Sequence, residues 1–503
     1  MGFDSAVISG VVDPLKGRFG LDADEVGWVV SCLTLGATLA MAVAGPLADR
    51  FGRRLVLLVT AVLFTLSAIG CALAEDFTFL VIARIIGGFG VGGALLIAPV
   101  YIAEIAPPHR RGQLVSFNQL NIVLGFSAAF FSNYFLNEGG YSWRWMLGVE
   151  AIPALVYALG LLFVPRSPRW LAMRGRAEEA RAVLERINGP GTAAGALAAV
   201  EASLEADAKR GKPRLRELLS PRMRRVLLIG LGVAFFQQIT GINAIFYYLP
   251  TIFGMAGAAR DAALGQAIYV GLVNVAFTVL AMYLIDRLGR KPLLIIGSSV
   301  MALALFGNGI AFADAHYQLE SSHLVVSTVA EEERPAGAVA LPADVVAALQ
   351  PVIGTDYDDE VQFLRELRSS CDALPAASRE ALDGKWQDLA KMALRINSTL
   401  VLLSIMAFIA AFAISLGPVM WAIFSEIFPQ RLRGLAVSVA GFFNSGISFG
   451  VQQVFPRALE TVGPAMVFFV FGGFATCAAV FAWRVVPETK GRSLEELELE
   501  LTR

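Results

Sequence analysis

Several amide side chains stand in apolar stretches of this sequence, where other polar groups are rare. Gln237, Gln238 and Asn243 lie within about two helical turns of one another. Amides both donate and accept hydrogen bonds, and an indole adds a flat apolar face with one donor. Together they suit a neutral ligand with many hydroxyl groups, although each amide alone equally suits an interhelical hydrogen bond. Other stretches contribute Gln119, Asn274, Asn444 and Trp421.

A carboxylate, Asp4, lies in the first apolar stretch, and Arg84 lies in a later one. An ionisable group in hydrocarbon costs free energy and by default marks function. A carboxyl group can gain or lose a proton as a guanidinium partner moves, so we expect this pair to carry a proton. Two alternatives stay open: Asp4 lies near a hydrated chain start, or the pair is structural.

Charged residues at the ends of the apolar stretches recur in both halves of the chain. Asp49 and Arg53 recur as Asp286 and Arg290, and Glu104 recurs as Glu426. The stretch between these two motifs is much longer in the second half than in the first, which predicts an insertion there. Ion pairs between the halves could close one end of the molecule and break when it opens; solvated charges that set topology are the alternative. The candidate gating residues are Asp49, Arg53, Glu104, Arg111, Asp286, Arg290, Glu426, Arg433 and Glu488.

The elements that must hold these residues are membrane-spanning helices. The chain has 503 residues, 56% of them hydrophobic and 17% charged, where soluble proteins have roughly a quarter charged. Eleven apolar stretches reach the ~20 residues that cross a bilayer. A twelfth, at 1–12, is too short, and we expect its true start to lie upstream of Met1. The composition excludes a soluble enzyme, a nucleic-acid binder and a disordered scaffold.

The spans divide into two groups of six. We expect a first bundle at 1–164, a charged helical linker at 165–225, a second bundle at 226–486 and a tail at 487–503. The insertion falls at 314–396, where 15 acidic and 7 basic residues and amphipathic spacing predict short helices. Lysine and arginine concentrate in alternate loops, so both termini should face the cytoplasm.

The motifs together resemble the sugar porters of the major facilitator superfamily, and most closely the bacterial sugar (xylose-type)/proton symporters. The resemblance covers nearly the whole chain except 314–396. It rests on Gly2-Phe3-Asp4, Asp49-Arg50-Phe51-Gly52-Arg53-Arg54, Arg110-Arg111-Gly112, Pro165-Arg166-Ser167-Pro168-Arg169-Trp170, Gln237-Gln238-Ile239-Thr240-Gly241-Ile242-Asn243 and Pro487-Glu488-Thr489-Lys490-Gly491.

The resemblance implies an all-α major facilitator fold of twelve transmembrane helices that imports a monosaccharide, a pentose or hexose, with protons by alternating access. It implies a multi-pass protein of the inner (plasma) membrane that acts as a monomer on sugar, protons and lipid, without cofactor, metal or nucleic acid. It assigns proton coupling to Asp4 and Arg84 and gating to the charged set. Sugar contacts fall to Gln119, Gln237, Gln238, Asn243, Asn274 and Trp421, with Phe3 and Tyr247 close by.

Three positions depart from the family pattern. Ser445 stands where many sugar porters have Trp, and Phe126 stands where several bacterial members have Gln. Both changes leave the identity of the substrate open. Arg166 replaces the usual Glu of its motif, which weakens gating assignments nearby.

Other functions stay open beside proton-coupled import. A uniporter, a carrier of an inositol-like polyol and a non-transporting sugar sensor are the alternatives. Gly88-Phe89-Gly90-Val91-Gly92-Gly93 fits a dinucleotide fingerprint, but it lies within a span and lacks the βαβ context. Close packing of helices explains these glycines better.

Overall fold

A computed structural model of the chain describes residues 1–107, 111–189, 191–210, 214–327, 339–358, 360–380, 382, 385–429, 431–492 and 496–497. The first 164 residues form α1 (Gly2–Val7), α2 (Val12–Phe19), α3 (Ala23–Phe51), α4 (Arg53–Leu73), α5 (Phe77–Ile105), α6 (Arg111–Glu138), α7 (Trp143–Gly148) and α8 (Ala151–Phe163). The linker forms α9 (Pro168–Met173), α10 (Ala177–Asn188), α11 (Ala193–Arg210) and α12 (Leu215–Leu218).

The second half begins with α13 (Arg224–Ile239), α14 (Ile242–Tyr247), α15 (Leu249–Met255), α16 (Arg260–Leu288) and α17 (Arg290–Ala313). The insertion contains β1 (His316–Gln318), β2 (Leu324–Val326), β3 (Val339–Leu341), α18 (Ala343–Ala348), β4 (Asp356–Tyr357), α19 (Glu360–Ser370), α20 (Ala376–Glu380), α21 (Trp386–Ala393) and β5 (Leu394–Arg395). The chain then continues through α22 (Ser398–Ile414), α23 (Leu416–Ile427) and α24 (Arg433–Arg484).

The membrane body is helical, as predicted. Within the described part of the chain, nine helical segments are long and apolar enough to cross a bilayer. One of them, α24, contains two apolar segments separated at Gly463, which has a φ of 80°. The first apolar stretch forms α1, a 3-10 turn at Ile8–Gly10 and α2, so helical structure continues to Phe19. The count of twelve spans stays a prediction.

Two glycines link consecutive helices at equivalent places in the two halves. Gly52 joins α3 to α4 with φ 93° and ψ 149°, and Gly289 joins α16 to α17 with φ 93° and ψ 169°. A side chain is strained in this conformation, so glycine is required. The two turns show that the sequence repeat is a structural repeat. We call the end of the molecule that carries both turns the arginine-rich end.

Small residues let α3 and α5 approach closely. A Cβ atom added at Gly88 would lie 2.2 Å from the carbonyl oxygen of Leu33, and one at Gly92 would lie 2.1 Å from that of Ala37. The glycine cluster therefore packs helix against helix, which is the explanation that the sequence favoured over a nucleotide site.

We expect Gly92→Leu to destabilise the first half strongly. The backbone of α3 cannot move out of the way without separating the two helices, and overpacking typically costs about 1–3 kcal/mol. Thermal unfolding in detergent measures the effect. Gly160→Leu is the control, because nothing lies within 4 Å of a Cβ atom added there. Equal melting temperatures for the two variants would contradict the expectation.

The two halves meet along α3 with α24 and along α6 with α16. Polar contacts cross between them at the end opposite to the arginine-rich end. Asp24 pairs with Arg457 at 2.9 Å, and Lys16 pairs with Glu460 at 3.0 Å. Deeper in, Thr34 donates to Gln452 at 2.9 Å. These contacts hold the halves together at that end.

The insertion has a hydrophobic core of its own, separate from that of the helical body. Strand β1 pairs antiparallel with β4 and β5, and β2 pairs parallel with β3. The predicted short helices are present. On α19, Phe363 and Leu367 are fully buried and lie one helical turn apart, whereas Val361 is 61% exposed. The strands were not predicted from the sequence.

Candidate functional site

A cavity of about 210 Å³ lies between the two halves. Helices α1, α3, α5 and α6 line it from the first half, and α13, α14, α16, α22, α23 and α24 line it from the second half. Eight of the nine residues predicted to contact a ligand lie in its wall: Gln119, Gln237, Gln238, Asn243, Asn274, Trp421, Tyr247 and Asn444. The structure thus gathers side chains from opposite halves of the sequence into one wall.

Phe3 is the ninth predicted residue, and it does not lie in the cavity wall. Its neighbours on α1, Gly2 and Ser5, line the cavity, whereas Phe3 packs against the hydrophobic core. Successive residues point about 100° apart around a helix, so Gly2 and Phe3 face different directions. Phe3, expected close to the sugar contacts, lies next to a residue of the cavity wall, and its part in binding stays a prediction.

Four amides and a hydroxyl group form a connected network on one wall. The side-chain amide of Asn444 donates to the side-chain oxygen of Gln237 at 2.7 Å, and that of Gln238 donates to the side-chain oxygen of Asn444 at 3.2 Å. Asn243 donates to Gln238 at 2.9 Å and to the hydroxyl group of Ser448 at 2.8 Å. The network fixes the orientation of each amide, so that the remaining donors and acceptors face the cavity in a defined pattern.

Aromatic rings supply the apolar part of the wall. Phe126 stacks on Tyr247 with ring centroids 6.4 Å apart and planes inclined by 16°. Trp421 is 37% exposed, so its indole is open to a ligand. Ser445 also lies in the wall. Two of the three positions that depart from the family pattern, Phe126 and Ser445, therefore line the cavity.

Three ionisable side chains lie buried beside the cavity: Asp4, Arg84 and Glu150, which are 1%, 2% and 5% exposed. The guanidinium of Arg84 interacts electrostatically with both carboxyl groups. Its Nε donates to the carbonyl oxygen of Val29 at 2.8 Å. The carboxyl groups of Asp4 and Glu150 lie close enough to interact electrostatically. Asp4 therefore has a second buried carboxyl group as its neighbour.

Glu150 was not predicted, although the signal was present in the sequence. It is a carboxylate within the apolar stretch 145–164, and it meets the same criterion that selected Asp4. Ser5 and Tyr247 both line the cavity. Ser5 follows Asp4 on α1, so the cavity wall includes the helix that carries Asp4.

At the arginine-rich end, the charged residues of the first half form a compact cluster. Arg53 lies 3.0 Å from Asp49 and 3.1 Å from Glu104, and it donates to the carbonyl oxygen of Ala48 at 3.1 Å. Ser167 donates to Oε2 of Glu104 at 2.5 Å. The cluster ties the ends of α3, α4 and α5 to the linker.

The second half repeats this cluster contact for contact. Arg290 lies 3.6 Å from Asp286 and 2.7 Å from Glu426, and it donates to the carbonyl oxygen of Ile285 at 3.1 Å. Thr489 donates to Glu426 at 2.5 Å, as Ser167 does to Glu104. Each of these ion pairs joins helices of the same half. The expected pairing between the halves is therefore not what Arg53 and Arg290 do in this structure.

Two further candidate gating residues, Arg433 and Arg111, each begin a helix. Arg433 donates to the carbonyl oxygen of Phe428 at 3.3 Å. The side chain of Arg111 lies outside the described residues, although the residue begins α6. Within the described residues, no group of histidine, cysteine and acidic side chains is arranged to hold a metal ion.

Comparison with known proteins agrees with this geometry. The profile of the family "Sugar (and other) transporter" matches residues 1–330 and 387–501, and it omits most of the insertion. The chain is 35% identical to the arabinose-proton symporter of Bacillus subtilis, over 99% of this chain and 91% of that protein. It is 34% identical to the D-xylose-proton symporter of Escherichia coli, over 99% and 92%.

A solved structure shares the fold. The xylose transporter of E. coli in a partially occluded inward-open conformation superimposes with a TM-score of 0.72 at 31% identity, covering 98% of this chain and 96% of that one. The chain is a multi-pass membrane transporter and not an enzyme, and it belongs to the sugar porter family of the major facilitator superfamily.

Proposed function

We propose that this protein imports a monosaccharide, a pentose or a hexose, together with protons. The observation that carries the proposal is the cavity between the halves, where an amide network faces aromatic rings. Sugar hydroxyl groups need partners that donate and accept, and the C–H face of the ring needs an apolar surface. The relatives named above are symporters of arabinose and xylose with protons, which supports the same class of substrate here.

The proton is proposed to bind at Asp4, with Glu150 as its neighbour. Two carboxylates and one guanidinium carry a net charge of −1 when all are ionised, and such a charge is costly away from water. One added proton makes the buried group neutral. Ser5 lines the sugar cavity and follows Asp4 on α1, so a change at one site can reach the other.

The gating set is proposed to act within each half. The clusters around Arg53 and Arg290 hold the helix ends of their own half as a unit, and the halves then rock against each other as two bodies. In this structure the halves are joined at the opposite end, which is the arrangement expected when the arginine-rich end is open. By the distribution of lysine and arginine, the arginine-rich end is proposed to face the cytoplasm, with both termini there and the protein in the plasma membrane.

Uptake into proteoliposomes tests the proposal. A panel of labelled arabinose, xylose, glucose and myo-inositol is offered with and without an inward proton gradient. A gradient of one pH unit supplies about 1.4 kcal/mol per proton, so one-to-one coupling supports about ten-fold accumulation. We expect accumulation of at least one sugar with the gradient and simple equilibration without it. Equilibration under both conditions would identify a uniporter, and accumulation of myo-inositol alone would identify a polyol carrier.

A further inference from the structure

A second cavity, of about 350 Å³, opens at the arginine-rich end beside the first turn of α4. It lies apart from the residues that line the central cavity. One side is cationic and the other is apolar. The cationic side consists of Arg53, Arg54, Arg166 and Arg176, and the apolar side consists of Phe51, Leu55 and Leu58. Arg53 pairs with Asp49 and Glu104, and Arg176 pairs with Glu179, so Arg54 and Arg166 are the cations available to a ligand.

The structural repeat shows what occupies the matching place in the second half. There the carboxylate of Glu488 accepts hydrogen bonds from the backbone N–H groups of Arg290 and Lys291, both at 3.1 Å. It thus places a negative charge on the first turn of α17. The offset that relates Ser167 to Thr489 also relates Arg166 to Glu488. The first half therefore has a cation where the second half has an anion.

This exchange leaves the first turn of α4 without an acidic partner of that kind. No side chain caps the helix, and the N-terminus of this 21-residue helix favours negative charge. Arg54 is held by the carbonyl oxygens of Leu161 and Leu162, at 2.8 Å and 2.6 Å, rather than by a carboxylate. Arg166 is exposed and makes no ion pair with any residue that the structure describes.

We propose that this cavity binds a phosphate group at the place that a carboxylate occupies in the second half. Arginine forks match the geometry of phosphate oxygens, and Arg166 and Arg54 supply them beside the free N–H groups of the helix. The apolar side favours a phosphate carried by a lipid, because Phe51 and Leu55 are 47% and 49% exposed. A free phosphate shares the same chemistry.

Binding to the purified full chain in detergent tests the proposal. The protein is titrated with short-chain phosphatidylglycerol, with short-chain phosphatidylcholine and with inorganic phosphate. We expect phosphatidylglycerol to bind more tightly than the zwitterionic lipid. Arg166→Glu should weaken this binding about ten-fold or more, because it restores the carboxylate found in the second half and repels the phosphate. Arg166→Gln should have a smaller effect in the same direction.

Arg224→Glu is the matched control, since it makes the same charge change at an exposed position where α13 begins. It should leave the binding of phosphatidylglycerol unchanged. Displacement of the lipid by millimolar inorganic phosphate, with the same dependence on Arg166, would assign the site to a soluble phosphate. The proposal is overturned if Arg166→Glu and Arg224→Glu weaken binding equally. It is also overturned if the wild-type protein binds neither phosphatidylglycerol nor inorganic phosphate.

Discussion

Asp4→Asn is expected to abolish sugar accumulation while leaving the exchange of sugar between two pools intact. Asparagine keeps the shape of the side chain but cannot release or take up a proton. The buried group around Arg84 then stays in one protonation state, so a proton gradient no longer drives the cycle. Accumulation should fall from about ten-fold per pH unit to none.

Counterflow of labelled sugar against an unlabelled pool in proteoliposomes measures the exchange that should survive. Asp13→Asn makes the same chemical change at an exposed residue of α2, and it should accumulate sugar normally. Glu150→Gln should also impair accumulation, because it removes the second carboxyl group of the buried set. If Asp4→Asn still accumulates sugar against a gradient, the proton does not bind at Asp4.

The second large effect is expected at the centre of the amide network. Asn444→Leu keeps the volume of the side chain and removes its bonds to Gln237, to Gln238 and to the carbonyl oxygen of Ala234, which it meets at 2.9 Å. The stranded amides lose the orientation in which they face a sugar. Loss of buried hydrogen-bond partners costs about 1–3 kcal/mol, so we expect sugar affinity to fall about ten-fold to a hundred-fold.

The affinity is measured by sugar-induced quenching of tryptophan fluorescence, to which Trp421 in the cavity wall should contribute. Asn308→Leu is the control, because Asn308 is a buried amide of α17 that is not among the residues lining the cavity. It should bind sugar as the wild-type protein does. Unchanged affinity in Asn444→Leu would show that the network does not hold the substrate.

The identity of the site residues could be predicted from the sequence better than the residues that they contact. Amides and a carboxylate stand out in apolar spans because burial of a polar group is costly, so Gln237 and Asp4 were found by residue type alone. The partner of a buried group depends on how helices rotate and pack, which one sequence does not contain. Glu150 has the residue type and the apolar surroundings that selected Asp4, but its position beside Asp4 could not be predicted for this reason.

The same limit applies to the charged clusters. Equal spacing in both halves identified Arg53 and Arg290 as equivalent, but it could not distinguish pairing within a half from pairing between halves. In the structure, the turns at Gly52 and Gly289 bring Arg53 back over the end of α3 and Arg290 back over the end of α16. The insertion was placed from the surplus length between two repeated motifs, and the family profile omits residues 331–386 within it. The strands of the insertion were not predicted, because they are too short to leave a periodic pattern.

The pairing of β1 in the insertion has a consequence for the history of the chain. His316 lies opposite Arg395 and Tyr317 lies opposite Leu394, so the segment leaves the membrane body and returns to it at nearly the same point. A module attached through two adjacent strands, with its own core, can be gained, lost or exchanged without changing the distance between α17 and α22. The transport helices and the insertion are therefore free to evolve at different rates.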